Sequence, residues 1–167
     1  MANKKLPTYL TREEFDKILK VTKTPHHKVA YILGFFCGMR ISEIVNLRIE
    51  SIDVANRNIK IENGKGGKQR YVPLPKGFGD KWLKQIPIKC GVRSLEISFK
   101  KAVARAGIVK PNIHFHSLRH SFATHAISSG MSINFVQNLL GHSNVATTGI
   151  YLRVNPVDAL KHYEEKF

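Results

Sequence analysis

Apolar residues recur at helical spacing along most of this chain and at strand spacing along one short part of it. Thr11 followed by Glu14 carries the signature of a capping box, which predicts a helix from Arg12 to about Lys20. Pro25, directly after Thr24, opens a second helix. Val29, Ile32, Leu33 and Phe36 repeat along its face, and Gly38 ends it. A short third helix runs from Ile41 or Ser42 to Asn46. The period then falls to two. Ile59 and Ile61 alternate with Lys60 and Glu62, NGKGGK interrupts, and QRYVPL resumes an extended run. This predicts a β-hairpin or three-stranded sheet with a glycine-rich basic tip, ended by Pro73 and Pro75. Helical patterning returns over 78–86, 94–106, 117–129, 132–140 and 144–152, and Pro156 starts a last helical stretch to about Glu165. The expected fold class is α+β, mostly helical, with one small antiparallel sheet inserted.

Composition narrows the partners more than the fold. A chain of 167 residues is long enough for one well-buried domain, and 43% hydrophobic residues supply an ordinary core. The net charge of +15 points to a polyanionic partner, nucleic acid ahead of a membrane surface. Cys37 and Cys90 are too few for a disulfide framework and lack metal-ligand spacing; Cys37 lies in the apolar run AYILGFFCGM and reads as a small core residue. The His-x-x-Arg-His arrangement is not a zinc-finger pattern, and no CxxC completes one. The opening residues, MANKKLPTYL, contain too short an apolar run for a signal peptide, and no apolar stretch is long enough to span a membrane. A cytoplasmic location, nucleoid- or virus-associated, is the expectation.

The candidate chemistry is spread over four separated segments. His116 and Arg119 stand at i and i+3 near a predicted helix start, where a phosphate is favoured by the backbone N–H groups and the helix's partial positive charge. Asn112, His114 and Ser117 lie close by as caps or further donors. Arg40 falls just past the second helix, with Glu43 one turn on at a spacing that can hold the guanidinium in place. Lys65 sits between glycines at the hairpin tip, with Lys68 and Arg70 as rival cations for nucleic-acid contact. His142 follows Gly141, and Tyr151 follows nine residues later. A phenol of ordinary pKa about 10 is a poor nucleophile without cationic neighbours. Each residue also has a plainer reading as a surface ion pair, a basic turn or a core aromatic. Together, two arginines, two histidines, a lysine and a tyrosine make the set that phosphoryl transfer to a tyrosine requires.

These segments resemble, in order, the sequence boxes of the tyrosine recombinases, the family of phage integrases, Xer and Cre. GMRISEI resembles the first-arginine box and GKGGKQRYVPLP the β-hairpin lysine segment. HFHSLRHSFATH resembles the HxxR box, and LLGHSNVATTGIYLRV the His and tyrosine boxes. The resemblance runs from about Leu10 to Val154. It implies a lead at 1–10, a catalytic domain over 11–154 and a helical tail over 155–167, without the separate N-terminal DNA-binding domain usual in the family. It further implies a metal-independent DNA strand transferase with no cofactor. Arg40 and Arg119 would hold the scissile phosphate, Tyr151 would attack it and Lys65 would protonate the leaving oxygen. His116 and His142 would assist, with Glu43 orienting. Double-stranded DNA is the implied partner, on which the chain forms a homo-oligomer, a tetramer; off DNA it is a monomer or weak oligomer. No membrane or small-molecule substrate is implied. Val157, Leu160, Tyr163 and Phe167 mark one apolar face of the tail, for docking on its own domain or on a neighbour. Two other activities fit the same residues in part: a type IB topoisomerase-like nicking and closing, and a binding-only remnant. A ribosomal-type RNA binder accounts for the charge but not for four boxes in order.

Overall fold

The computed structural model describes residues 8–62 and 69–141. In chain order, α1 (Arg12–Val21), α2 (Pro25–Cys37) and α3 (Ile41–Val45) precede three strands, β1 (Ile52–Asp53), β2 (Asn58–Ile61) and β3 (Arg70–Pro73). Four helices follow: α4 (Asp80–Leu83), α5 (Val92–Arg105), α6 (His116–Ser128) and α7 (Ile133–Leu140). The α+β class, mostly helical with one small sheet, is what the periodicity predicts. The helices expected over 144–152 and after Pro156 lie outside the described residues.

α2 is the axis of the domain. Val29, Ala30, Tyr31, Leu33, Gly34, Phe35 and Cys37 are all buried, and a helix that is apolar on nearly every side must be covered on nearly every side. α6 packs along it closely enough that a Cβ at Gly34 would lie 3.0 Å from the Leu118 side chain. α1 starts on the predicted capping box: Thr11 Oγ1 accepts from the Glu14 N–H at 3.2 Å, and the Thr11 N–H donates to Glu14 Oε2 at 2.8 Å. The chain entering α1 is tied across to α6, because the Leu10 N–H donates to Ser121 Oγ at 2.8 Å and His125 Nε2 meets the Leu10 carbonyl at 2.8 Å.

The strands form an antiparallel sheet in the order β1-β2-β3, with Ile59 opposite Val72 and Ile61 opposite Arg70. Ile59, Ile61, Val72 and Arg70 face inward, whereas Tyr71 is exposed. The helix predicted over 78–86 shrinks to the single turn of α4. Gly77, at φ 76°, and Gly79 precede it, and Pro87 disfavours helical backbone at Ile86.

α2 ends where the residues of interest begin. Gly38 caps it with φ 64°, and a Cβ there would lie 2.5 Å from the Phe122 ring and 2.8 Å from Leu140. Glycine is therefore required twice over, for the left-handed backbone and for the approach of α6 and α7. A smaller apolar cluster of Phe122, Ala123, Val136 and Leu140 joins those two helices beside the main core.

Candidate active site

The end of α7 collects three arginines that are far apart in sequence. Arg70 Nε donates to the Leu139 carbonyl at 2.8 Å, Arg119 Nη2 to the Leu140 carbonyl at 2.6 Å, and Arg40 Nη2 reaches the Gly141 carbonyl at 3.4 Å. Arg119 also donates through Nη1 to the Gly38 carbonyl at 2.6 Å, so its planar fork spans the C-terminal ends of α2 and α7. Arg119 is only 2% exposed, while the Arg40 side chain retains 23%, so Arg40 is the more accessible of the two guanidiniums.

Glu43 is the anion that holds this cluster together. It sits in the first turn of α3 and accepts the Arg40 N–H at 2.7 Å and Arg40 Nη1 at 2.9 Å. It also accepts both Arg70 terminal nitrogens, at 2.8 and 2.7 Å. Burial by itself would raise the Glu43 carboxyl, but the hydrogen bonds and charges of Arg70 and Arg40 outweigh it and hold the group below the ordinary carboxylate range. The contact with Arg40 falls at the i, i+3 spacing.

Arg70 departs from the sequence expectation. A cation at the hairpin would be a DNA contact if it faced solvent. Instead its side chain is 8% exposed, with Nε and both terminal nitrogens engaged by the Leu139 carbonyl and Glu43. The physical reason is strand alternation: Arg70 is two residues from buried Val72 and so shares its inward face. The same alternation in QRYVPL is the sequence signal that finds it.

His116 opens α6 one turn before Arg119. Although the residue reaches solvent, its imidazole is depressed to about 4, first by partial burial of the ring and then by Arg119, His114 and Arg40. The ring is thus neutral at pH 7. It makes an edge contact with His120, ring centres 4.6 Å apart, a neighbour that sequence reasoning passes over. Ser117 Oγ accepts the His114 N–H at 3.3 Å and so braces the turn leading into α6.

The structure thus brings Arg40, Glu43, Arg70, His116 and Arg119 to one junction, where α2, α3, β3, α6 and α7 meet. Lys65, Lys68, His142 and Tyr151 lie outside the described residues, although Gly141 is part of the junction and His142 follows it in the chain. A polar groove of about 570 Å³ adjoins it between α3 and the sheet, lined by Ser42, Glu43, Asn46, Arg48 and Lys60. A positively charged, hydrogen-bond-rich junction of this kind is suited to a phosphate diester. Among the described residues, no helix is long and apolar enough to cross a membrane.

Comparison with known proteins agrees with the geometry. The profile of the phage integrase family matches residues 8–96 and 90–157. A tyrosine recombinase of Pseudothermotoga lettingae is 36% identical over 90% of this chain and 58% of its own length. Among solved structures, the XerH site-specific recombinase bound to palindromic difH substrate in a post-cleavage complex is 28% identical, with a TM-score of 0.77, covering 95% of this chain and 53% of that one. The catalytic domain of bacteriophage HP1 integrase is 25% identical with a TM-score of 0.71, covering 94% of each. The chain spans about three fifths of the length of the curated relatives it matches.

Proposed function

The chain belongs to the phage integrase family, and on that premise we propose that residues 11–154 form a catalytic domain that cleaves and rejoins DNA at specific sites through a 3′-phosphotyrosyl intermediate. The observation that carries this reading is the convergence of Arg40, His116 and Arg119 on the helix end that leads into His142. Arg40 and Arg119 hold the non-bridging oxygens of the scissile phosphate and stabilise the charge that grows there as phosphorus becomes five-coordinate. Tyr151 Oη forms the new bond to phosphorus, the bond from phosphorus to the 5′-oxygen breaks, and Lys65 supplies the proton to that oxygen. His116, neutral at pH 7, accepts the proton of the Tyr151 phenol as base or donates its ring N–H to a phosphate oxygen, and His142 donates to a non-bridging oxygen. Attack of a 5′-hydroxyl from another strand reverses the step. The phosphotyrosyl bond conserves the energy of the original diester, so no nucleotide cofactor is called for, and the basic side chains provide the electrostatic stabilisation. Lys68, three residues after Lys65 in the chain, contacts the DNA backbone in this reading.

The test is direct. Incubation with a nicked suicide duplex is expected to give a covalent protein–DNA adduct whose peptide maps to Tyr151 and which Tyr151→Phe does not form. No adduct over a range of duplexes would leave a binding-only domain. Exchange between two cognate sites, as against relaxation of a supercoiled plasmid, separates a recombinase from a nicking-closing enzyme.

Assembly on DNA belongs to the same reading. An apolar groove of about 820 Å³ lies between α2, α6 and α7, lined by Phe35, Phe36, Phe122, Met131 and Phe135, and Phe135 is 66% exposed. Its occupant in this reading is the apolar face of residues 155–167 from a second copy, carried by Val157, Leu160, Tyr163 and Phe167. Deleting 155–167 is expected to reduce the mass of the DNA-bound complex in sedimentation to that of unlinked protomers. Unchanged assembly would remove the trans docking.

A further inference from the structure

At the far end of α2 from the arginine junction stands a group of residues that the phosphoryl-transfer chemistry does not use. His26 and His27 occupy the first turn of α2, and Cys90 lies in the loop that leads into α5. One ligating atom of each falls within 4.8 Å of the other two. We propose that His26, His27 and Cys90 bind a thiophilic divalent cation of the zinc class, with a water in the fourth position, as a staple between α2 and α5.

The geometry of one edge is nearly set. Cys90 Sγ lies 3.7 Å from His27 Nε2. A tetrahedral zinc with Zn–S about 2.3 Å and Zn–N about 2.0–2.1 Å places those two atoms roughly 3.6 Å apart. His26 closes the remaining edges by a contraction of at most about 1.5 Å, within the reach of a side-chain rotation in a half-buried site.

The orientation of His27 is supported from behind. Its Nδ1 lies 2.8 Å from Ser98 Oγ, which in turn lies 2.9 Å from the Tyr31 hydroxyl. With Nδ1–H donating to Ser98, the Nε2 lone pair is turned toward Cys90, the arrangement by which metal-binding imidazoles are usually held. His26 adds a second sign: its Nδ1 is buried and has no hydrogen-bond partner, a costly state for a ring nitrogen and one that a metal-centred rearrangement relieves. Lys89 bears on His26 as a like charge, and forming the Cys90 thiolate limits the bound site to one net positive charge rather than two. The balance is one proton released from the Cys90 thiol for each ion bound.

Placement argues for a structural rather than a chemical role. The 13 residues of α2 span roughly 20 Å, and the opposite end of that helix supplies the Gly38 carbonyl on which Arg119 rests. A cation here fixes the first turn of α2 to the approach of α5 without touching the phosphate site.

Cobalt(II) is the probe. Titration of the metal-free full chain is expected to give a near-ultraviolet sulfur-to-cobalt band and the visible bands of tetrahedral coordination, saturating at one equivalent and displaced by zinc(II). Zinc(II) is expected to raise the thermal midpoint of the wild-type protein and to leave Cys90→Ala unmoved. Ser98→Ala is expected to keep the band while losing about 10–100-fold in affinity. Circular dichroism verifies that each variant folds, and Cys90→Ser serves where Cys90→Ala does not. No sulfur-to-cobalt band in the wild type, or a band and thermal shift that persist in Cys90→Ala, overturns the site.

Discussion

Glu43→Ala is expected to cost this domain about 3–5 kcal/mol of stability, the usual penalty for removing one partner of a buried ion pair. Its carboxylate accepts from both terminal nitrogens of Arg70, and the side chains on each side of that contact are 8% exposed. Alanine leaves a guanidinium buried without its counter-ion and also frees the Arg40 backbone N–H at the start of α3. Glu43→Gln keeps the shape and one acceptor oxygen, so its loss is expected to be smaller but of the same sign. Denaturant unfolding at pH 7 measures both, and a loss under about 1 kcal/mol for Glu43→Ala would remove Glu43 from the centre of the junction. The pH dependence follows from the lowered carboxyl. Its native value lies below its unfolded value, so its stabilisation is complete above the unfolded value, about 4.3, and is lost as pH falls through the native one. Glu43→Gln removes that part of the acid sensitivity.

Arg119→Lys is expected to lower adduct formation on a suicide duplex by about 10²–10³-fold, the scale found when one preorganised donor to a transition-state anion is lost. Lysine keeps the charge but not the fork. It cannot donate in one plane to the Gly38 and Leu140 carbonyls, so the ends of α2 and α7 lose their shared tie. A buried carbonyl left without its donor costs about 1–3 kcal/mol, and a drop in stability is expected alongside the drop in rate. Single-turnover cleavage, with the folded fraction fixed by circular dichroism, separates the two. If the rate loss equals the loss of folded protein, Arg119 acts only as a structural tie.

The helices were legible in the sequence wherever a local signal marks an end. Thr11 and Glu14 start α1, Pro25 starts α2 and Gly38 stops it, within one residue of the expectation. The extent of α4 was not, because one turn limited by two glycines and a proline carries a helical pattern too short to distinguish from a loop. At the junction, Arg40, His116 and Arg119 were found from spacing and resemblance, as was the part of Glu43 that faces Arg40. What spacing does not reveal is the second partner of Glu43. Arg70 is 27 residues away, and only its inward position on β3, two residues from Val72, points to it. The carbonyls of Leu139, Leu140 and Gly141 have no sequence signature at all, since every residue carries one. His27 and Cys90 are 63 residues apart, and no short ligand motif joins them.

The three arginines at the end of α7 have a consequence for charge that a count of cations misses. A helix C-terminus presents about half a negative charge through its last carbonyls, a poor neighbour for a phosphate. Here the carbonyls of Leu139, Leu140 and Gly141 each face a guanidinium, so the sign of the field at that end is reversed. Neutralising any one of the three arginines therefore acts twice: it withdraws a positive charge and uncovers a negative dipole end. The local potential falls by more than a single unit of charge implies, and conservative charge-retaining changes and neutral ones should separate more widely here than on an ordinary basic surface.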